Sequence, residues 1–424
     1  VDLRPLKFSS GETLSVEGPD GHSHYFEVMG PLGTGGAGAV YESLSDDGEL
    51  AVVKGPLHVG QEDVALACEL AMLERVPRHP NLIRLLGKMR DPRGHHLLVL
   101  ERAFDNPLLR LNRDEVRGRL RGFPSTGGRH AALPPVTALE LGYELARGID
   151  HLHRQKVAHC DVKPDNLLLR LDWSQGEISD RDYFERLSKG EWRGLLIDLG
   201  GARDFRALAH AFLGKGVAPS FTPLYTPPEI LPGSWDPEVG RERSRFSPWM
   251  DVYAFGLTFY QLLTGHVPYQ HLPKPPNLSS LRQLVAAKRE ERDGAFLPVS
   301  RKAFESIDWS DCRFESGDES TEKTVTEDLW KLVARTLHFD PARRPNAKRL
   351  CAELGRILQV EITPRSGGGP VSRGWRQRLL TLDGFRSRLT AAGQDGSLKA
   401  DIGKIRRGGA DFWEREGFRP TKKD

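Results

Sequence analysis

Apolar positions along this chain fall into two periods. Leu50, Ala51, Val52 and Val53 form an unbroken run behind the turn Ser45-Asp46-Asp47-Gly48, and the run ends on Lys54. A run of this length bounded by a turn predicts a buried strand. Residues 82–86 and 97–100 predict two more strands. Between the first strand and these two the period changes. Val64, Ala67, Leu70, Ala71 and Leu73 recur at helical spacing and predict a helix over 62–75. A second stripe (Leu139, Leu141, Leu145, Ile149, Leu152) predicts a helix over 138–154. Residues 167–169 and 195–197 predict short buried strands. Residues 180–187 predict a helix with Tyr183, Phe184 and Trp192 as apolar anchors. Asp251 opens an apolar helix that runs through Leu263 and stops at Thr264-Gly265, with Pro268 just beyond.

Several polar residues sit where this pattern gives them no structural reason. Lys54 ends a buried strand, and a buried unpaired ammonium is costly. The run His159-Cys160-Asp161-Val162-Lys163-Pro164-Asp165-Asn166 puts an acid, a cation and an amide within six residues. Gly33-Thr34-Gly35-Gly36-Ala37-Gly38-Ala39-Val40 is rich in glycine, which lets backbone approach phosphate oxygens closely. The strand over 195–197 ends in Asp198-Leu199-Gly200.

In this order and combination, these segments resemble the protein kinase family, of the Ser/Thr type. The run from His159 is similar to its catalytic loop, with Cys for Arg and Asp for Glu. The glycine run fits G-x-G-x-x-G-x-V, Ala51 to Lys54 resembles V-A-I-K, and Asp198-Leu199-Gly200 resembles D-F-G. Thr222-Pro223-Leu224-Tyr225-Thr226-Pro227-Pro228-Glu229 is similar to the close of the activation segment, Asp251 to Gly256 to D-V-W-S-F-G, and Asp340 to Pro345 to D-P-x-x-R-P. The resemblance implies an α+β, two-lobed protein-kinase fold, with a small β-rich N-lobe and a larger, mainly α-helical C-lobe. It implies ATP as phosphoryl donor, magnesium (with manganese as substitute) and a protein Ser/Thr hydroxyl as acceptor.

Roles follow residue by residue. Asp161 and Lys163 are the expected catalytic pair. Asn166 and Asp198 are the expected metal ligands. Gly33, Gly35, Gly38, Val40, Ala51, Lys54, Glu69, Glu101, Ala103 and Leu168 are expected around the nucleotide, with Glu69 as partner of Lys54 and 101–103 as the hinge. Leu100 is expected at the back of the adenine pocket. His159, Asp251 and a Glu229–Arg344 ion pair are expected to be architectural. Cys160 replaces the Arg that in many kinases receives an activation-segment phosphate, and residues 201–219 contain no Ser, Thr or Tyr. Activity independent of that phosphorylation is the expectation.

Composition adds bounds. The 424 residues carry a net charge of +3, so nothing global calls for nucleic acid or a membrane surface. Four scattered cysteines lack metal or redox spacing and read as reduced thiols of a cytoplasmic protein. No apolar run reaches the roughly 18 residues of a membrane span, no signal peptide is evident, and the start at Val1 reads as a trimmed or partial chain. Domains are expected as an N-terminal extension over 1–24, an N-lobe over 25–101, a C-lobe over 102–362 and a basic tail over 363–424. The Arg-rich segment 109–130 and the tail are the expected docking elements. From residue 361 onward there are 14 Lys and Arg against 8 Asp and Glu.

Two other readings stay open. A pseudokinase scaffold would normally have lost Lys54, Asp161 or Asp198. A small-molecule kinase generally lacks the segment around Thr222 and Glu229 and the helix at Asp251.

Overall fold

The computed structural model describes residues 8–35, 38–56, 61–91, 94–105, 108, 110, 132–171, 173, 178–206, 222–230, 247–309, 312–314, 319–359 and 362–364. Six antiparallel strands come first: β1 (Thr13–Glu17), β2 (Ser23–Gly35), β3 (Gly38–Ser45), β4 (Leu50–Gly55), β5 (Leu85–Arg90) and β6 (His96–Glu101). Their order is β1-β2-β3-β4-β6-β5, and a single pair, Glu17 with Lys88, closes the sheet on itself. The strand expected over 82–86 begins at Leu85; Leu82 instead bridges to Leu196. Part of the expected N-terminal extension over 1–24 adds a strand to the sheet. Residues 13–17 pair with β2 in register and bury Leu14 and Val16, so they belong to the sheet.

Alternation along the strands sorts residues onto two faces. Ala39, Tyr41, Ala51, Val53 and Val99 join Leu14, Val16, Phe26 and Val28 in one apolar cluster. The opposite face carries Val40, Lys54, Val52, Leu98 and Leu100, matched by the pairs Val40 with Lys54, Lys54 with Leu98 and Val52 with Leu100. Helix α1 (Gln61–Arg75) packs its Leu66 and Leu70 against Leu98 and Leu100. Val64, expected on the buried stripe, is 63% exposed. It lies one turn from the helix start, ahead of the buried ridge formed by Leu66 and Leu70.

The rest is mainly helical. Helix α2 (Pro135–Arg154) is apolar enough to be buried along most of its length and starts with Pro at N1. It leads through β7 (Val157–Ala158) into the loop at Asp161. A two-stranded hairpin follows, β8 (Leu167–Leu171) with β9 (Trp192–Leu196), and Leu167 stands opposite Leu196. Between these strands sits α3 (Asp180–Lys189), capped by Ser179, whose hydroxyl accepts from the Asp182 amide, and ended by left-handed Gly190. Tyr183 and Trp192 are buried as expected; the Phe184 side chain lies outside what is described. Beyond β10 (Arg203–Asp204) come α4 (Trp249–Thr264), α5 (Leu281–Arg292), α6 (Arg301–Glu305), β11 (Cys312–Phe314), α7 (Glu319–Thr336), α8 (Ala347–Gln359) and β12 (Ile362–Pro364). α4 is buried almost throughout and packs on α2 and α7. Strand β12 pairs with β11, so ordered pairing extends to Pro364. Of the Arg-rich segment 109–130 only Arg110 is described, and of the expected basic tail over 363–424 the residues from 365 onward lie outside the described residues. Among those described, no helix is long and apolar enough to cross a membrane.

Candidate active site

Three short segments meet at Asp161. Backbone bonding sets them side by side. The Ile197 amide donates to the Asn166 carbonyl at 2.9 Å, and His159 Nε2 lies 2.9 Å from the Ile197 carbonyl. Asp251, 1% exposed at the start of α4, holds the loop from below. Its two carboxylate oxygens accept from the amides of Cys160 and His159, each at 2.8 Å, and His153 Nε2 lies 2.8 Å from one of them. These bonds hold Cys160 at φ +70°, a left-handed conformation that a residue with a Cβ rarely adopts unaided. Asp198 is also left-handed, at φ +65°. His159 and Asp251 thus do the architectural work expected of them.

Asp161 is fixed from several sides. Thr222 donates to its Oδ1 through both backbone amide (2.8 Å) and hydroxyl (2.7 Å). Lys163 Nζ donates to Oδ2 at 2.7 Å and to the Thr222 hydroxyl oxygen at 2.8 Å. Asn166 Nδ2 donates to the Asp161 carbonyl at 2.8 Å and to Oδ2 at 3.2 Å. The carboxylate therefore has one orientation, set by four donor groups.

Lys54 crosses from the sheet to this site. Its ammonium donates to Glu69 Oε2 at 2.7 Å and to Asp198 Oδ1 at 3.3 Å. Burial works against the Lys54 charge, but Glu69 and then Asp198 outweigh it and raise the pKa. Burial would also lift the Asp198 carboxyl; Lys54 and then His159 overcome that and hold it below the usual carboxylate range. Both shifts favour the charged forms of Lys54 and Asp198, whereas burial raises the pKa of Glu69. The Lys54–Glu69 pairing read from the sequence is present.

The expected nucleotide residues divide. Val40 shares the Lys54 face, and Leu168 packs with Val52, Ile197 and the cluster around Leu100 and Ala103. Ala51 does not face this cleft. It is fully buried on the other side of the sheet with Val53. Val52 takes its place, since only residues two apart share a strand face with Lys54. The Glu101 side chain is likewise turned away. Its carboxylate accepts from the Arg84 amide at 2.9 Å and meets Arg170 at 3.2 Å, which leaves only the backbone of 101–103 for the cleft. Gly33 and Gly35 pair with Val40 and Gly38 across the β2–β3 hairpin. Gly38 lies at φ +128°, and a Cβ there would strike the Gly55 carbonyl, so only glycine fits. Gly36 and Ala37 at the tip lie outside the described residues.

Asn166 and Asp198 offer hard oxygen ligands. Because the Asn166 nitrogen is committed to Asp161, its amide oxygen is the free end. Among the described residues no group of three or more His, Cys, Asp or Glu forms a metal cage. Magnesium is commonly held by one or two protein oxygens together with substrate phosphates, and this donor pair fits that habit.

Farther out, Arg344 donates to both oxygens of Glu229, at 2.6 and 2.9 Å, and its side chain is wholly buried. That is the ion pair read from the sequence. Arg110, grouped by its sequence with the exposed Arg-rich segment, is buried instead. It donates to Asp180 at 2.7 Å and to the Ile178 carbonyl at 2.8 Å, and stacks on Tyr183. Asp180 and Tyr183 come from α3, so Arg110 is tied to that helix.

A protein kinase domain model matches residues 26–354. The mitogen-activated protein kinase kinase kinase 11 of Rattus norvegicus is 25% identical over 362 residues, 83% of this chain and 33% of that protein. Putative ribosomal protein S6 kinase alpha-2 of Caenorhabditis elegans is 24% identical over 294 residues, 68% of this chain and 30% of that protein. Wall-associated receptor kinase-like 4 of Arabidopsis thaliana is 26% identical over 337 residues, 78% of this chain and 36% of that protein. The chain thus spans about a third of the length of the curated relatives it matches. The domain match covers well over half of the sequence, and the chain belongs to the protein kinase family.

Proposed function

We propose that this chain is an active Ser/Thr protein kinase of two lobes, moving the γ-phosphoryl group of ATP to a protein hydroxyl. The observation that carries the reading is the single orientation of Asp161, locked by Thr222, Lys163 and Asn166. A carboxylate so aimed can orient an attacking hydroxyl and take its proton. Lys163 beside it neutralises charge developing on the transferred group, and Lys54 does so on the phosphates deeper in the cleft. Asn166 and Asp198 would hold magnesium, which when bound bridges the phosphates and offsets their charge. Val52, Leu168 and Ala103 would wall the adenine, and the backbone of 101–103 would bond its edge.

Activity without activation-segment phosphorylation is part of the same reading. Cys160 is buried, and burial followed by nearby Asp251 pushes its thiol far above the ordinary range. A neutral buried thiol offers no cation to a phosphate.

The test is transfer of labelled phosphate from magnesium-ATP to a generic basic protein, by wild type and by Asp161→Asn. Wild type should transfer label. The variant should lose transfer by at least about a hundredfold while retaining ATP binding. Near-normal transfer by a clean Asp161→Asn preparation would sink the assignment of the base.

A further inference from the structure

Behind the hinge lies a cavity of about 670 Å³ that neither Lys54 nor Asp161 lines. Small-molecule sites run to roughly 300–1,000 Å³. Its walls come from the β1–β2 turn, the end of α1 and the loop after it, β5, and the β8–β9 hairpin. Part of the wall is apolar, including Leu73, Val76, Ile83 and Leu199.

The rest of the wall is unevenly charged. Arg170 and Arg193 stand directly opposite each other on the hairpin, a register in which like charges repel. Arg170 is matched by Glu101 at 3.2 Å, and Lys88 by Glu74 at 2.7 Å and Glu17 at 3.8 Å. Arg193 has no carboxylate partner among the described residues. Arg84 gives one terminal nitrogen to Glu49, but its Nε is buried without an acceptor. His79 on the same wall reports the field: burial first, then His151, Arg147, Arg154 and Arg193, push its pKa down to about 3. The cavity therefore sets Arg193, which lacks a carboxylate partner among the described residues, beside Arg84, whose charge is shared with Glu49, and next to an apolar surface.

We propose that this cavity binds a small organic anion with an apolar ring or chain, and that its occupancy changes the rate of phosphoryl transfer. The anionic group would meet Arg193 and Arg84, and the apolar body would lie against Leu73 and Ile83. The basic stretch after residue 361 has the wrong net sign to be the occupant. Coupling follows from the lining. Leu73 stands one helical turn after Glu69, Leu199 follows Asp198, and Glu101 ends the strand that enters the hinge. The effect on rate rests on the kinase reading above; the binding does not.

The test is calorimetric titration of the full chain with 1-naphthalenesulfonate and with neutral 1-naphthalenemethanol. The sulfonate should bind at one site and the alcohol at least about tenfold more weakly. Arg193→Gln and Arg84→Gln should each weaken the sulfonate about tenfold and leave the alcohol unchanged. The sulfonate should alter kcat/KM for ATP in wild type and not in Arg193→Gln. Equal affinity for the two probes, or no sulfonate binding at millimolar concentration, would overturn the site, and neither result needs a variant to fold. Displacement of the sulfonate by a much tighter Glu- and Leu-rich peptide would overturn it in favour of a protein partner. Binding without any effect on turnover would overturn the coupling. An inactive preparation that still binds the sulfonate would count against the kinase reading alone.

Discussion

Glu229→Ala should cost about 3 kcal/mol of unfolding free energy. The figure comes from the geometry around Arg344. Its side chain is fully buried, whereas that of Glu229 is 18% exposed, and two charge-assisted bonds of 2.6 and 2.9 Å join them. Removing one partner of a buried pair costs roughly 3–5 kcal/mol, because the other charge stays desolvated and uncompensated. Two features set the lower end. Glu229 is partly hydrated already, and Arg344 keeps the carbonyl of His338 at 2.7 Å and, more distantly, those of Phe339 and Trp249. Urea unfolding measures the loss. With a slope of about 3 kcal/mol/M the midpoint should fall by about 1 M at unchanged slope. Phosphoryl transfer should fall as well, since Glu229 anchors the segment from which Thr222 reaches Asp161. A stability change below about 1 kcal/mol, the range of exposed pairs, would show that the pair is effectively solvated and the argument wrong.

Asp198→Asn should weaken magnesium-ATP binding as well as turnover, because it removes a proposed magnesium ligand and one of the two carboxylate partners of Lys54; nucleotide affinity with and without magnesium checks this. Phosphatase treatment, or Ser220→Ala, should change the rate little, and a large drop rescued by an acidic residue at 220 would refute it. A chain ending at Ser366, just past the β11–β12 pair, should still phosphorylate a generic basic protein but lose or gain efficiency toward its natural partner; a folded yet inactive product would assign the tail to the catalytic core. Lys288, wholly buried against Tyr253 and Tyr269, has its pKa pushed down to about 8 by burial. The folded state gives up that proton before the unfolded chain does, so this residue should make stability rise with pH between about 8 and 10.5. Lys288→Met should flatten that slope in urea midpoints taken across the window.

What the sequence disclosed depended on whether chemistry or packing set the residue. The run from His159 to Asn166 reads directly, because its functional groups are near neighbours in the chain. Lys54, Glu69 and Asp198 lie far apart in sequence, yet each closes a distinct local signal; the 2.7 Å contact pairs Lys54 with Glu69 as expected, and the structure adds a 3.3 Å contact from Lys54 to Asp198. Ala51 failed for a geometric reason. An unbroken apolar run gives no alternation from which to read its two faces, and only the partners of each residue across the sheet separate Ala51 from Val52. Strand β1 was missed because Thr13–Glu17 alternates over only five residues and is stabilised by pairing with β2. Arg110 was misplaced because local composition made it look solvated; its partners, Asp180 and Tyr183, are some seventy residues away. Val64 is the reverse case, an apolar residue at helical spacing that stays 63% exposed.

The loop around Asp161 carries its own constraint. In this chain the residue before Asp161 cannot act as a phosphate receptor, so the loop must be held by other means if it is to be held at all. The means are visible. Asp251 accepts two backbone amides and pins Cys160 in a conformation that costs of order 1–3 kcal/mol when unsupported. Those two bonds are buried and to a charged acceptor, each in the range of about 1.5–3 kcal/mol, enough to offset the strain. On the other side of the loop, Thr222 meets Asp161 through two bonds that need only the native hydroxyl and amide. The far end of the same segment is locked by Glu229 and Arg344. Every contact that orients the carboxylate is therefore made by unmodified side chains and backbone. On the proposed reading, a phosphate on the activation segment would find the Asp161 loop already held by these contacts, which is why phosphatase treatment is expected to change the rate little.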